Sequence, residues 1–140
     1  MLMIVRMILS LGLLVYGALR LFGTVMFLLI GAGLLQSADF ESGRQLLSDA
    51  LPDMNESAIV PFSPLAYTLF SGAMGLAMTL GALGTLFKRI WGVWLLALYN
   101  ALFLAMFVNF GIVNAKMVHL GVTILLTFIL YLLVRVKLAR

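Results

Sequence analysis

The 140-residue chain has no cysteine. That excludes disulfides, thiolate metal sites, cysteine nucleophiles and dithiol redox chemistry. Charge is nearly as scarce: 10% of residues are Asp, Glu, Lys or Arg, against about 25% in an ordinary soluble domain. The acids number five, Asp39, Glu41, Asp49, Asp53 and Glu56, and all fall between Gln36 and Phe62. No long apolar run contains an Asp or Glu. A proton-coupled antiporter of the small four-helix kind, which needs a buried carboxylate relay, is therefore disfavoured. His119 is the single histidine. Ser–His, Asp–Asp and metal sets for hydrolysis are not supplied. Met117 stands two residues from His119, but a soft copper site needs more ligands. Haem would lack axial ligands unless it were shared at a subunit boundary. The glycines lie in apolar runs and do not follow a strand, so no nucleotide loop is present. The expectation is no cofactor, no metal and no catalytic constellation.

What the chain has in abundance is apolar surface. Hydrophobic residues make up 64% of it, and the mean hydropathy is +1.19. A soluble fold of this size cannot hide so much apolar area. The composition predicts one all-α integral membrane domain. The net charge of +4 does not point to nucleic acid, because Lys and Arg sit at the ends of apolar runs.

A bilayer-spanning helix needs about 20 apolar residues. Four segments qualify, at approximately residues 7–35, 64–87, 90–113 and 117–134. Arg6 ahead of the first run is reminiscent of a signal peptide. The run is about 29 residues, however, against 7–15 for a signal core, so it reads as a retained span. Ser63 can cap the second span, with Pro64 in its first turn. Lys88-Arg89 marks a tight turn into the third. Asn109, Gly111 and Asn114 break the pattern before the fourth.

Arg6, Lys88, Arg89, Arg135, Lys137 and Arg140 fall on one side of this arrangement, and Arg44 and Lys116 on the other. The imbalance places both termini in the cytoplasm and the acidic 36–62 loop outside, most naturally in a bacterial inner membrane. Trp91 and Trp94 would lie at the inner interface, with Phe62, Tyr67 and Phe110 at the outer one. Within the loop, Phe40, Leu47 and Leu51 share a helical face and Pro52 stops the pattern. A short amphipathic helix over Phe40–Leu51 is expected, as a cap over helix ends or as a lid. Asn55-Glu56-Ser57 matches a glycosylation sequon of low specificity.

Polar residues inside the apolar runs are the candidate functional positions: Arg20, Asn100, Asn109, Thr79 and His119. An intramembrane charge is costly and suggests function. The register of Arg20 has two solutions. A membrane core over Tyr16–Leu35 leaves Arg20 shallow and able to snorkel to inner headgroups. A core over Met7–Met26 puts it in the outer half, near the acidic loop. The first is the reading adopted. Asn100, near the middle of the third span, requires a partner in hydrocarbon, with Thr79, Thr127 or a carbonyl in reach. Asn109 and His119 fall near the outer face. Met74 and Met78 form a helical pair suited to packing. Small residues form stripes, Ser71 and Gly75 running on to Thr79 and Ala82, and Ala97, Ala101 and Ala105. These fit close helix packing in a span two–three hairpin, or self-association.

Leu19-Arg20-Leu21-Phe22-Gly23, followed by Gly31 and Gly33, resembles the first helix of DoxX-like four-helix membrane proteins. The glycine-rich second span ending in a basic turn is similar in outline. The resemblance covers roughly a third of the chain and implies a four-helix fold with an accessory role in redox or membrane complexes, without assigning a site. The long apolar stretch before Arg20 departs from the pattern. The leading expectation is a non-enzymatic structural or accessory subunit, in contact with lipid and with another membrane protein or itself. The alternative is a small-solute or ion transporter or channel working as a homo-oligomer, with Arg20 attracting an anion and the asparagines replacing water hydrogen bonds.

Overall fold

A computed structural model describes residues 1–135; Lys137 and Arg140, two of the charges used for orientation, lie outside the described residues. The described chain forms five helices: α1 (Leu2–Gly31), α2 (Ala38–Glu56), α3 (Pro64–Leu86), α4 (Ile90–Phe110) and α5 (Lys116–Arg135). Four of them, α1, α3, α4 and α5, are long and apolar enough to cross a membrane.

The helix boundaries have local causes. α1 stops at Gly31, short of the expected Leu35, because Gly33 adopts φ +71°. The Gly33 amide donates to the Ile30 carbonyl and the Leu34 amide to the Leu29 carbonyl, both at 2.9 Å. This paired closure satisfies carbonyls that would otherwise be orphaned. Leu34 and Leu35 are therefore exposed linker, although their hydropathy continues the run. At its start, α3 has the expected cap: the Ser63 hydroxyl accepts from the Ala66 amide at 3.1 Å, with Pro64 in the first turn. Lys88 closes α3 with φ +58°, and the Arg89 amide donates to the Gly84 carbonyl at 2.8 Å. Gly111 ends α4 at φ +61°, three residues before the expected limit. The Asn114 side chain accepts from the Lys116 amide, so it caps α5.

One expectation is corrected at α2. Pro52 does not stop the helix, which continues to Glu56. Proline removes one backbone donor, but the extra turn is held from outside. The Ser57 hydroxyl donates to the Phe110 carbonyl at 2.7 Å, and Asn55 pairs with the backbone of Phe62. The expected apolar face of α2 does pack on the bundle. Phe40 meets Phe22 and Phe27 edge-on, and Leu51 is 2% exposed.

Helix α3 is central. On one side it packs along α1 through small residues: a Cβ on Gly17 would lie 2.8 Å from the Thr79 backbone, and one on Gly72 would lie 2.7 Å from Thr24. Gly75 faces the backbone of Arg20 and Leu21. On the other side α3 meets α4 through Gly81, Gly84 and Gly92. Ser71, Gly75 and Thr79 therefore serve the α1–α3 contact, and the α3–α4 hairpin is closed by glycines nearer its turn. Ala101 and Ala105 are exposed on the outside of α4, with Ala97 half-buried. They do not build the hairpin. The core is Leu13, Met74, Ala77, Met78, Ala82, Leu96, Tyr99 and Leu130. Met74 and Met78, at 0% and 1% exposure, pack there as the helical pair suggested.

Candidate functional site

The α1–α3 pairing fixes the height of Arg20. The Ser10 hydroxyl meets the Thr85 hydroxyl at 2.9 Å near the α3–α4 turn. Fourteen residues later in α1, Thr24 meets Gly72. The Arg20 backbone consequently lies level with Gly75, the midpoint of α3, and its side chain reaches toward Ser71, away from the Lys88-Arg89 turn. The hydropathy reading of its height took Leu35 as the helix end and missed the closure at Gly33.

The Arg20 guanidinium points inward and its partners are neutral. Its Nε donates to the Ser71 hydroxyl at 3.3 Å, and one Nη approaches the Met74 sulfur at 3.5 Å. Its central carbon lies 5.9 Å from the ring centres of both Tyr99 and Phe103. Those distances suit cation–π attraction. The one ion pair among the described residues joins Arg44 to Glu41 on α2, so no loop acid reaches Arg20.

Arg20 borders a cavity of about 260 Å³. Tyr16 comes with it from α1, Tyr67 from α3, and Met54 from the last turn of α2. Phe103, Met106, Phe107 and Phe110 of α4 form an apolar wall. Lys116 and His119 of α5 complete the lining, with Ile112 and Asn114 from the preceding linker. The His119 ring stands 5.1 Å from that of Tyr16 and 5.7 Å from that of Phe103. Its Nε2 is buried and makes no hydrogen bond to the described residues. A buried polar atom without a partner calls for an explanation. The cavity thus gathers two cations and an imidazole, and no acid lines it. Such a set suits an anion with an apolar body.

The other sequence candidates lie elsewhere. Asn100, 8% exposed, joins α4 to α5. Its Nδ2 donates to the Thr127 hydroxyl at 2.9 Å, and the Thr123 hydroxyl donates to its Oδ1 at 2.7 Å. Thr127 was an expected partner; Thr79 is not one, since it donates to the Gly75 carbonyl and faces α1. Asn109 clamps the 57–63 linker: its Oδ1 accepts from the Val60 amide and its Nδ2 donates to the Val60 carbonyl, at 2.8 and 2.9 Å. Asn55 treats Phe62 the same way. Its amide nitrogen is thereby engaged, which argues against the sequon as a modification site. Phe62, Tyr67 and Phe110 gather around one another, with Phe110 buried.

Among the described residues no cluster of His, Cys, Asp and Glu is fit to hold a metal. Sequence reasoning found Arg20 and His119 but not that they share a cavity. It missed Tyr16, Tyr67 and Met54, which have no local signal. It counted Arg6 as an orientation charge and did not foresee its burial: Arg6 is 5% exposed, with Nε and Nη1 making no hydrogen bond to the described residues. It did not single out Ser10 and Thr85 either, although hydroxyls inside apolar runs are the signal for interhelical bonding.

No family model matches the chain, and no curated protein or solved structure matches it. The likeness to DoxX-like proteins therefore rests on the outline of two segments alone.

Proposed function

We propose that the protein is integral to a bacterial inner membrane and binds a small organic anion between its helices. In this reading α1, α3, α4 and α5 span the bilayer, both termini are cytoplasmic, and α2 lies at the outer face. The anion enters from the α2 side, past Lys116, and settles against Arg20. The observation that carries the reading is a guanidinium held inside an apolar bundle by a hydroxyl and a thioether, with no carboxylate in contact. A charge so placed is retained for function by default, because lipid-facing alternatives are costly. The cationic and aromatic groups that line the cavity are those that bind an anion with an apolar body.

The test is equilibrium binding in lipid nanodiscs with acetate, phosphate, sulfate and benzoate as probes. Saturable binding of at least one, lost in Arg20→Gln, is expected. Absence of binding for all four overturns the reading. Carriage across the bilayer is tested separately by flux of the bound probe into proteoliposomes.

A second reading, an accessory subunit of a membrane assembly, is favoured by the outer surface of α4. Ala101, Leu104, Ala105 and Val108 line a shallow apolar groove there, with Ile59 and Asn109 at its end. Small residues on an unoccupied helix face allow another helix to approach closely. Native mass spectrometry from the protein's own membrane decides: a stoichiometric larger partner supports this reading, and a monomer removes it.

A further inference from the structure

We infer that the ligand of the Arg20–His119 cavity is an aromatic monocarboxylate of one ring, a molecule of benzoate size; this rests on the anion-binding reading above.

Size comes first. An apolar cavity of about 150 Å³ accepts a benzene molecule. The cavity here, about 260 Å³, has room for one ring and a short polar group. Charge comes second. Arg20 lines the site half-buried, and Lys116 lines it exposed. A dianion such as phosphate would need Lys116 as well as Arg20 for its second charge, and Lys116 is exposed to water. A carboxylate carries one charge, and its two oxygens match the planar fork of a guanidinium. Arg20 spends Nε on Ser71 and one Nη near Met74, which leaves further N–H groups for a ligand.

The aromatic character follows from the walls. Phe103 and Phe107 stack 5.0 Å apart at 30°, and Phe103 also meets His119 edge-on. A flat guest extends this cluster through offset and edge contacts, which a saturated ring makes less well. The His119 Nε2, buried without a partner among the described residues, supplies a hydrogen bond to the second carboxylate oxygen. Recognition thus combines the Arg20 fork, the His119 nitrogen and the aromatic wall, none of which suffices alone.

The experiment is calorimetric titration of the full chain in nanodiscs with four probes: benzoate, cyclohexanecarboxylate, benzyl alcohol and inorganic phosphate. Benzoate is expected to bind about tenfold more tightly than benzyl alcohol and phosphate, and several-fold more tightly than cyclohexanecarboxylate. Arg20→Gln should cost about tenfold and His119→Leu several-fold. Because either variant could disturb folding, the unaltered protein provides a second readout. With methyl-labelled methionine, benzoate should shift the NMR signals of Met54 and Met106, which line the cavity, and leave Met3 unmoved. Benzoate binding no tighter than phosphate or cyclohexanecarboxylate overturns the inference while leaving anion binding intact. Unmoved Met54 and Met106 signals on saturation also overturn it. No binding of any of these probes, nor of acetate or sulfate, removes both readings.

Discussion

Gly84 and Gly92 face each other so closely that a Cβ built on Gly84 would lie 2.6 Å from the Gly92 Cα. The mirror test is as severe: a Cβ on Gly92 would lie 2.5 Å from the Thr85 nitrogen and 2.6 Å from the Gly81 carbonyl oxygen. These obstacles are backbone, which cannot rotate aside as a side chain can. Gly92→Ala should therefore force α3 and α4 apart and cost about 2–3 kcal/mol, read as reduced resistance to unfolding in a denaturing detergent. Gly12→Ala is the control. Nothing lies within 4 Å of its added carbon, so higher helix propensity should leave stability unchanged or raise it by up to about 1 kcal/mol.

Asn100 separates structure from binding. Replacing it with Leu breaks the bonds to Thr123 and Thr127. Interhelical bonds of this kind contribute about 0.6 kcal/mol on average in a membrane protein, and at most about 1.7 kcal/mol. Asn100→Leu should lower stability by that order while leaving anion affinity unchanged, because the residue does not line the cavity. A lost affinity with retained stability would reverse the assignment.

The Ser10–Thr85 contact lends itself to a double-mutant cycle. Ser10 donates to Thr85, whose own proton goes to the Ala82 carbonyl. Ser10→Ala and Thr85→Val should each cost about 1 kcal/mol. The double variant should cost less than the sum, since it leaves no buried hydroxyl unpaired. Strict additivity would show that the two hydroxyls do not interact.

Two asparagines hold one linker, and they should be separable by hydrogen exchange. Asn109→Ala removes the acceptor of the Val60 amide, and Asn55→Ala that of the Phe62 amide. Each substitution should speed exchange at its own amide by about tenfold. It should leave the other amide within a factor of about three. Equal acceleration at both would mean that the linker opens as a single unit.

The cysteine-free chain makes orientation directly measurable. Ser42→Cys on α2 and Arg89→Cys at the α3–α4 turn each introduce a single thiol at an exposed position. A membrane-impermeant maleimide applied to intact cells should label the first. The second should be labelled only after permeabilisation. The reverse pattern inverts the proposed topology.

Much of the fold was readable because its causes are local. Hydropathy marked four long helices, Ser63-Pro64 marked the start of α3, and Asn114 marked the break before α5. The spacing of Phe40, Leu47 and Leu51 gave the packed face of α2. What was not readable depends on how helices slide past one another. Arg20 looks the same in either register. Its height is set by Gly17 seating on Thr79 and Thr24 on Gly72, contacts between residues far apart in sequence. The continuation of α2 through Pro52 is likewise non-local, since Asn55 and Ser57 hold its last turn from the linker and from α4. The cavity has no sequence signature, because all five helices and the linker before α5 contribute its walls.

The 30 residues of α1 make a rod about 45 Å long. A hydrocarbon layer of about 30 Å would need a tilt near 48° to swallow it, beyond the range of about 0–40° that spanning helices adopt. In the proposed membrane setting, part of α1 must therefore lie outside the hydrocarbon or thicken it locally. Its first turn, with Leu2, Met3 and Ile4 exposed, would gain most from extra hydrocarbon. The protein would then be sensitive to lipid chain length, sitting more comfortably in thick bilayers and drawing longer lipids around one edge.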